Sequence, residues 1–375
     1  MTRIPLASPA PGTQRYLTVR HYGEPDARPK AYVHASIHAD ELPGMLVAHH
    51  LARLLDEAAG EERIRGEIVL VPVANPIGLS QRINGRLLGR YELDGGGNFN
   101  RNWPDLAEPL AERVGSHLDL DAEENVRRIR AAIREILQDQ SADGELAGLR
   151  LVLARLACDA DIVLDLHCDS DALMHLYMIP QLWPEGADLS AEIASRATML
   201  SEPLGGDPFD EAWSAPWAAL RAGFPDKPVP MACFSATIEY RGHADVEDHL
   251  AAHDAGALFR FLQRRGVIEG DPPPLPEAQC DATPFSGVDV IRAPVAGIIA
   301  YKRRLGERVT AGDVIAELID PMADHPADAR RAILTRTDGL LFTRRRIRFA
   351  RAGEGIAKIA GVAPLEHRKG RLLDD

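Results

Sequence analysis

Cysteine is scarce in this chain of 375 residues. The four that occur, Cys158, Cys168, Cys233 and Cys280, are too few and too scattered for a disulfide framework or a four-thiolate zinc site. A reducing cytoplasm suits them best, and cytoplasmic localisation is the expectation. Long apolar runs are missing too. The longest, such as Ile68 to Val73 and Ile162 to Leu166, fall far short of the ~20 residues a membrane-spanning helix requires. The opening MTRIPLASPAPGTQRY breaks any apolar stretch with Arg and Pro, so neither an export signal nor membrane association is expected. Positive charge is also in deficit. Forty-three Lys and Arg face 56 Asp and Glu, a formal net charge of −13. Phosphate contacts need clustered positive charge, so nucleic acid is a poor expected partner and small molecules are the better one.

What is present is ordinary globular material: 45% hydrophobic and 26% charged residues. From residue 16 apolar strands alternate with amphipathic helical stretches. Strands are predicted at Tyr16 to His21, Ala31 to Ile37, Glu67 to Ala74, Ile162 to Leu166, His175 to Ile179 and Ala232 to Tyr240. Helices are predicted at Glu41 to Ala58, Ala122 to Gln138, Leu146 to Ala157 and Val246 to Arg265. This alternation predicts an α/β sheet flanked by helices over residues 1–268. Residues 269–287, EGDPPPLPEAQCDATPFSG, are too rich in proline for helix and read as an extended linker. Residues 288–375 change texture to short strands punctuated by Gly297, Gly306, Gly312, Gly339 and Gly353, which predicts a small all-β domain. Residues 286–375 carry 17 basic and 12 acidic side chains, whereas residues 1–285 carry 26 and 44, so the two parts attract each other.

The strongest local signal is His34-Ala-Ser-Ile-His38-Ala-Asp-Glu41, where a predicted strand gives way to a helix. Ligands bind at strand ends in open α/β sheets. His38 and Glu41 are close enough across a tight bend for an imidazole and a carboxylate to share one cation. Asp165-Leu166-His167 supplies another imidazole at the exit of an apolar strand. Two His and one Glu with a fourth position open is the ligand set of a catalytic zinc site. His34 lies four extended residues before His38, ~13 Å away, too far to share the ion. His49 and His50 read as helix-face residues. A hydrolytic site also needs a group that takes a proton from water and delivers it to the leaving group, and Glu239, ending the strand CFSATIE before a Gly turn, is the candidate. The polar stretch from Asn75 to Pro104 holds Arg82, Arg86, Arg90 and Arg101, and a guanidinium there can hold a carboxylate or stabilise an oxyanion.

In order, HADE, NP, RY followed by NR, DLH and TIEYRG resemble the succinylglutamate desuccinylase/aspartoacylase family, relatives of the zinc carboxypeptidases, over most of residues 30–245. The resemblance implies a zinc-carboxypeptidase-like mixed sheet and one zinc per chain at His38, Glu41 and His167. It also implies Glu239 as general acid/base, Arg90 polarising the scissile carbonyl, and Asn100 with Arg101 binding the substrate carboxylate. Two departures stand out. The family usually has an acidic residue and Leu before Asn-Arg, whereas here Asn98-Phe99 precede Asn100-Arg101. Gly95 to Gly97 also lengthen the gap back to Arg90, so Arg82 and Arg86 stand as its substitutes. A longer helical insertion is predicted at about Leu106 to Leu149.

The tail from Arg292 to Glu317 resembles a biotinyl/lipoyl-type barrel-sandwich. Neither Lys302 nor Lys358 lies in the sequence setting of a carrier lysine, so a structural or homo-oligomerising cap is expected. In the basic run Arg344 to Arg351, Ile347 and Phe349 alternate with Arg346 and Arg348, which predicts a half-buried strand with one cationic face rather than a nucleic-acid patch. Together these features predict a zinc-dependent amidohydrolase that deacylates an N-acyl amino acid or related small amide. The rival readings are a metallocarboxypeptidase acting on peptide C-termini and a non-catalytic binding protein on the same fold. The acyl group and the amine depend on pocket-lining side chains that no motif identifies.

Overall fold

The computed structural model describes residues 1–202, 208–366 and 368. Seven of the eight residues of the strand Ile162–Asp169 are buried, as a strand covered on both faces requires. It pairs in parallel with Lys30–Ala35 on one side and Phe234–Gly242 on the other. These three strands are the middle of a nine-stranded mixed sheet. Its order is Thr2–Pro5, Tyr16–Tyr22, Glu67–Val71, Lys30–Ala35, Ile162–Asp169, Phe234–Gly242, His175–Met178, Ala197–Leu200 and Ala282–Pro284. The register sets Ala35 opposite Leu166 and His167 opposite Glu239, so the carboxyl ends of the three middle strands finish level.

Side chains along a strand point alternately to its two faces, and each face has its own apolar cluster. Val33, Leu164, Leu166 and Ile238 pack with the helices Pro43–Gly60 and Asp248–Arg264. Tyr32, Val69 and Val163 pack with Ala122–Asp139, Glu145–Ala157 and Phe209–Gly223. The elements predicted from periodicity all occur, with ends shifted by up to three residues. The strand Ala197–Leu200 and the helix Phe209–Gly223 were not predicted. The helix holds Pro216 in its interior, which removes a backbone donor. Phe209, Trp213, Trp217 and Leu220, buried along one stripe, stabilise it despite that loss.

Lys30, at the start of its strand, is almost fully buried, and its Nζ lies 2.9 Å from Asp159 and 3.2 Å from Glu67. Burial alone pushes the Asp159 carboxyl up, but Lys30, Arg28 and Arg134 outweigh it and hold that carboxyl below its ordinary value of 3.8. Lys30→Met takes from the buried Glu67 its lysine and leaves Asp159 only Arg28 and Arg134, and is expected to cost about 3 kcal/mol. A carboxyl with a depressed folded-state pKa stabilises the fold above its unfolded value and loses that contribution as pH falls through the folded value. The gap between wild type and variant in chemical denaturation should therefore narrow below pH 3.8. An unchanged gap at acid pH defeats this assignment.

Two antiparallel sheets make up the C-terminal part. Arg330–Leu334, Val314–Ile319, Gly297–Tyr301 and Phe349–Ala350 form one; Gly339–Arg344, Gly355–Gly361 and Val288–Arg292 belong to the other. Ile291, Ile315, Leu341 and Ile359 share their core. The connection to the large sheet is by strand pairing. Asp171–Ala172 hydrogen-bonds to Thr343 and Arg344, and Ala282–Pro284, within the expected linker, pairs with Ala197–Leu200. The basic run is not one strand. Residues 345–348 form a turn between Gly339–Arg344 and Phe349–Ala350, with Ile347 and Phe349 both exposed. Arg344 and Arg348 stack on Tyr301 and pair with Asp171 at 3.0 and 2.9 Å, which fixes the turn. Among the described residues no helix is long and apolar enough to cross a membrane.

Candidate metal centre and its cavity

The strand Lys30–Ala35 ends in a loop that carries His38 and Glu41 directly into the helix Pro43–Gly60. Ser36 takes a left-handed conformation, φ 61°, and Glu41 N donates to His38 O at 3.1 Å, so the loop folds back tightly. His38 Nε2 is held by Asn98 Oδ1 at 2.8 Å, which leaves Nδ1 facing Glu41 Oε1 at 3.0 Å. His167 Nε2 is held by Asp165 Oδ2 at 2.9 Å, which leaves Nδ1 facing Glu41 Oε2 at 2.7 Å. One ligand atom from each of His38, Glu41 and His167 lies within 4.8 Å of the others, and all three residues are buried. Two imidazole nitrogens and a carboxylate, each outer ring nitrogen fixed by an oxygen acceptor, are the donor set of a catalytic zinc site.

Behind this triad lies a buried chain of polar groups. Tyr32 Oη is 3.0 Å from His34 Nδ1, and His34 Nε2 is 2.7 Å from Asp165 Oδ1. Asp165 therefore braces two imidazoles at once. His34 stays outside the ligand set, as its spacing predicted. Asn98, the departure from the family pattern, has a clear task in holding His38. Asn100 is fully used by the protein: its Oδ1 accepts from Trp103 Nε1 at 2.7 Å and from Phe209 N at 3.0 Å, while its Nδ2 donates to Asp165 at 3.2 Å. Both members of the pair expected to bind a substrate carboxylate, Asn100 and Arg101, line the cavity, and Arg101 brings the charge.

The arginine alternatives separate by position. Arg90 Nη1 lies 3.1 Å from Glu41 Oε1 and 3.2 Å from His38 Nδ1, whereas Arg82 and Arg86 sit on an exposed hairpin away from the cavity lining. Gly89 explains how Arg90 gets there. Its carbonyl accepts from Ala39 N at 3.0 Å, and a Cβ on it would lie 2.3 Å from Asp40 N and 2.5 Å from Ala39 C. Backbone cannot yield as a flexible side chain can. Gly89→Ala is therefore expected to destabilise by about 1–3 kcal/mol and to lower activity by moving Arg90. Denaturation together with the kcat of the variant checks this; wild-type values for both count against the close approach.

Burial first, and then Arg90, pushes the His38 imidazole down to about 4. His167 moves the other way, well above its ordinary value, because Asp165 and Glu41 outweigh its burial. Glu41 is held well below the carboxylate range by the two imidazoles, against its own burial. Glu239 is pushed up to about 8, by burial and then by Glu41, and Asp210 up to about 7, by burial and then by Asp165. Among the described residues, Glu239 Oε2 has no hydrogen-bond partner.

All of these groups face a cavity of about 300 Å³. One wall comes from the C-terminal part, which contributes Val290 and Lys358, with Lys358 Nζ 2.7 Å from Asp169 Oδ2. Lys358 and Asp210 were not identified as site residues from the sequence. Lys358 carries no local signal, because its place depends on how two sheets dock. Asp210 begins a helix that the interior proline conceals.

The family model of the succinylglutamate desuccinylase/aspartoacylase catalytic domain matches residues 27–201. No curated protein sequence matches the chain. Several solved structures share its fold. A Shewanella amazonensis protein provisionally assigned to the succinylglutamate desuccinylase/aspartoacylase family superposes with TM-score 0.83 at 24% identity, covering 96% of this chain and 98% of its own. A Shewanella frigidimarina protein of the same provisional assignment gives 0.85 at 24% identity, covering 96% of each chain. The product-bound ectoine utilization protein EutE (DoeB) of Ruegeria pomeroyi gives 0.67 at 17% identity, covering 96% of this chain and 94% of its own. At such identities the structural likeness establishes the fold alone, and the likeness to the family rests on the sequence match. Over residues 27–201 the chain is similar to the succinylglutamate desuccinylase/aspartoacylase catalytic domain.

Proposed function

We propose that the protein is a zinc-dependent amide hydrolase that removes the acyl group from an N-acylated amino acid or a related small amide. The observation that carries this reading is the meeting of His38, Glu41 and His167 with Glu239 in one cavity of about 300 Å³. A zinc ion held by the two imidazoles and the carboxylate would lower the pKa of water and polarise the scissile carbonyl. The chain's own residues supply the rest. Glu239 takes the proton of the attacking water and returns it to the departing amine, a role its place beside the metal ligands in the cavity allows. Arg90, beside Glu41, stabilises the oxyanion. Arg101 orients the substrate through its carboxylate.

Cavity size favours a small amide over a peptide, since the volume is at the lower end for ligand pockets and the C-terminal part closes one side. The test is metal analysis of the purified protein, followed by an assay of N-acyl amino acids against dipeptides with matched C-terminal residues. Faster release from the N-acyl amino acids is expected. Preferential cleavage of the peptides would point to a carboxypeptidase, and bound zinc without hydrolysis of any amide would point to a binding protein.

A further inference from the structure

The residues between His167 and His175 connect two sides of the reacting centre. His167 belongs to the metal triad, and in the large sheet Glu239 sits opposite His167 on one side and His175 on the other. The C-terminal part holds this connection residue by residue. Lys358 Nζ lies 2.7 Å from Asp169 Oδ2, and Arg346 N donates to Ser170 Oγ at 2.9 Å. Asp171 and Ala172 pair with Arg344 and Thr343, and Leu173 N donates to Phe342 O at 2.9 Å. The Phe342 ring then meets the His175 ring edge-on, with centres 5.1 Å apart. Toward the strand of Glu239 the connection is tied as well, since His243 N donates to Asp169 O at 3.1 Å.

Of these C-terminal residues, Lys358 is the one that also lines the cavity, together with Asp169, Glu41 and Glu239. It is the counter-charge of Asp169, whose Oδ2 has His175 Nε2 at 3.9 Å as its other cationic neighbour when that ring is protonated. Without Lys358 the Asp169 carboxylate would face Glu239 and Glu41 uncompensated, and like charges repel strongly where water is scarce. The carboxylate would turn away from them and take the connecting backbone along. We infer that Lys358 is a positioning residue of the hydrolytic site: its ion pair with Asp169 keeps residues 169–173 in place between His167 and Glu239, so that the C-terminal part completes the site as well as closing it. The cation acts through Asp169, not through the substrate. Displacing His167 and Glu239 from each other by a fraction of the reacting distance is enough to slow the chemical step.

The kinetic half of the test rests on the deacylase reading, and the other half does not. Metal-loaded wild type, Lys358→Met and Lys358→Met/Asp169→Asn are compared in steady-state kinetics on the best amide substrate and in hydrogen exchange resolved by peptide. Lys358→Met is expected to lower kcat by ~tenfold or more, with KM within about threefold and metal content unchanged. Exchange over residues 169–173 is expected to rise by ~tenfold while the rest of the C-terminal part keeps wild-type rates. Asp169→Asn removes the stranded charge, so the double variant should regain about fivefold in kcat over Lys358→Met and slow that exchange again. A change confined to KM, or a kcat loss that the double variant does not relieve, means that Lys358 touches the substrate or only braces the docked sheets, and overturns the inference. So does exchange that is unchanged, or that rises across the whole C-terminal part. Should wild type hydrolyse nothing, the deacylase reading fails, and exchange alone decides for or against the Lys358–Asp169 clamp by the same outcomes. If thermal unfolding shows Lys358→Met to be misfolded, Lys358→Gln takes its place in both measurements.

Discussion

Glu239→Gln is expected to lower kcat on the best amide substrate by ~10²–10⁴-fold while the protein keeps its metal. Gln preserves the shape of the side chain and its place at the end of Phe234–Gly242, opposite His167. What it loses is the ability to accept a proton. Because Glu239 lies outside the His38, Glu41 and His167 set, metal content should stay at the wild-type ratio, and this distinguishes the loss from a damaged binding site. Stability supplies an independent check. In the metal-free protein Glu239 is pushed up to about 8 by burial and Glu41, from an ordinary 4.5. A carboxyl with a raised folded-state pKa favours the fold fully below its unfolded value, and that contribution is lost as pH rises through the folded value. Metal-free wild type should thus lose stability between pH 4.5 and about 8 more steeply than Glu239→Gln. Activity within threefold of wild type would remove Glu239 from the mechanism.

The parts of the site legible in the sequence are those whose chemistry and placement are both local. His38 and Glu41 are joined by one turn, and His167 and Glu239 terminate apolar strands, so periodicity alone put each of them at a strand exit. Parallel pairing then levels those exits. The choice among Arg82, Arg86 and Arg90 was not legible. It depends on Gly89 lying against the Ala39–Asp40 backbone, a contact across a loop of some fifty residues. Asn100 shows what the sequence hides: it lines the cavity as its residue type suggests, and its amide also bonds Trp103, Phe209 and Asp165, partners that no local motif reveals. Lys358 reaches the cavity because the C-terminal sheet docks on the large one, through Asp171–Ala172 among other contacts. Charge composition foretold that the two parts attract, and pairs such as Arg344 with Asp171 are where that attraction is realised.

His167→Ala is expected to abolish stoichiometric metal binding and to reduce hydrolysis to background, with no recovery when zinc is added back. Wild type stripped by a chelator should recover fully under the same addition, and that contrast separates a missing ligand from a missing ion. Two donors, His38 and Glu41, would remain, short of the three protein ligands a catalytic zinc site uses. The groups behind His167 should grade the effect. Asp165→Asn keeps the shape of the brace but removes the charge that holds His167 Nε2 at 2.9 Å and His34 Nε2 at 2.7 Å, and a loss of ~10–100-fold in metal affinity is expected. His34→Phe, one step further out, should cost less, since Asp165 would still reach His167. Zinc at 1,000 times its Kd should stabilise wild type by ~4 kcal/mol and His167→Ala scarcely at all. Metal titrations monitored by thermal unfolding would rank the variants in that order. An equal response from His167→Ala and wild type would mean that the ion binds elsewhere and that the three side chains only pair with one another.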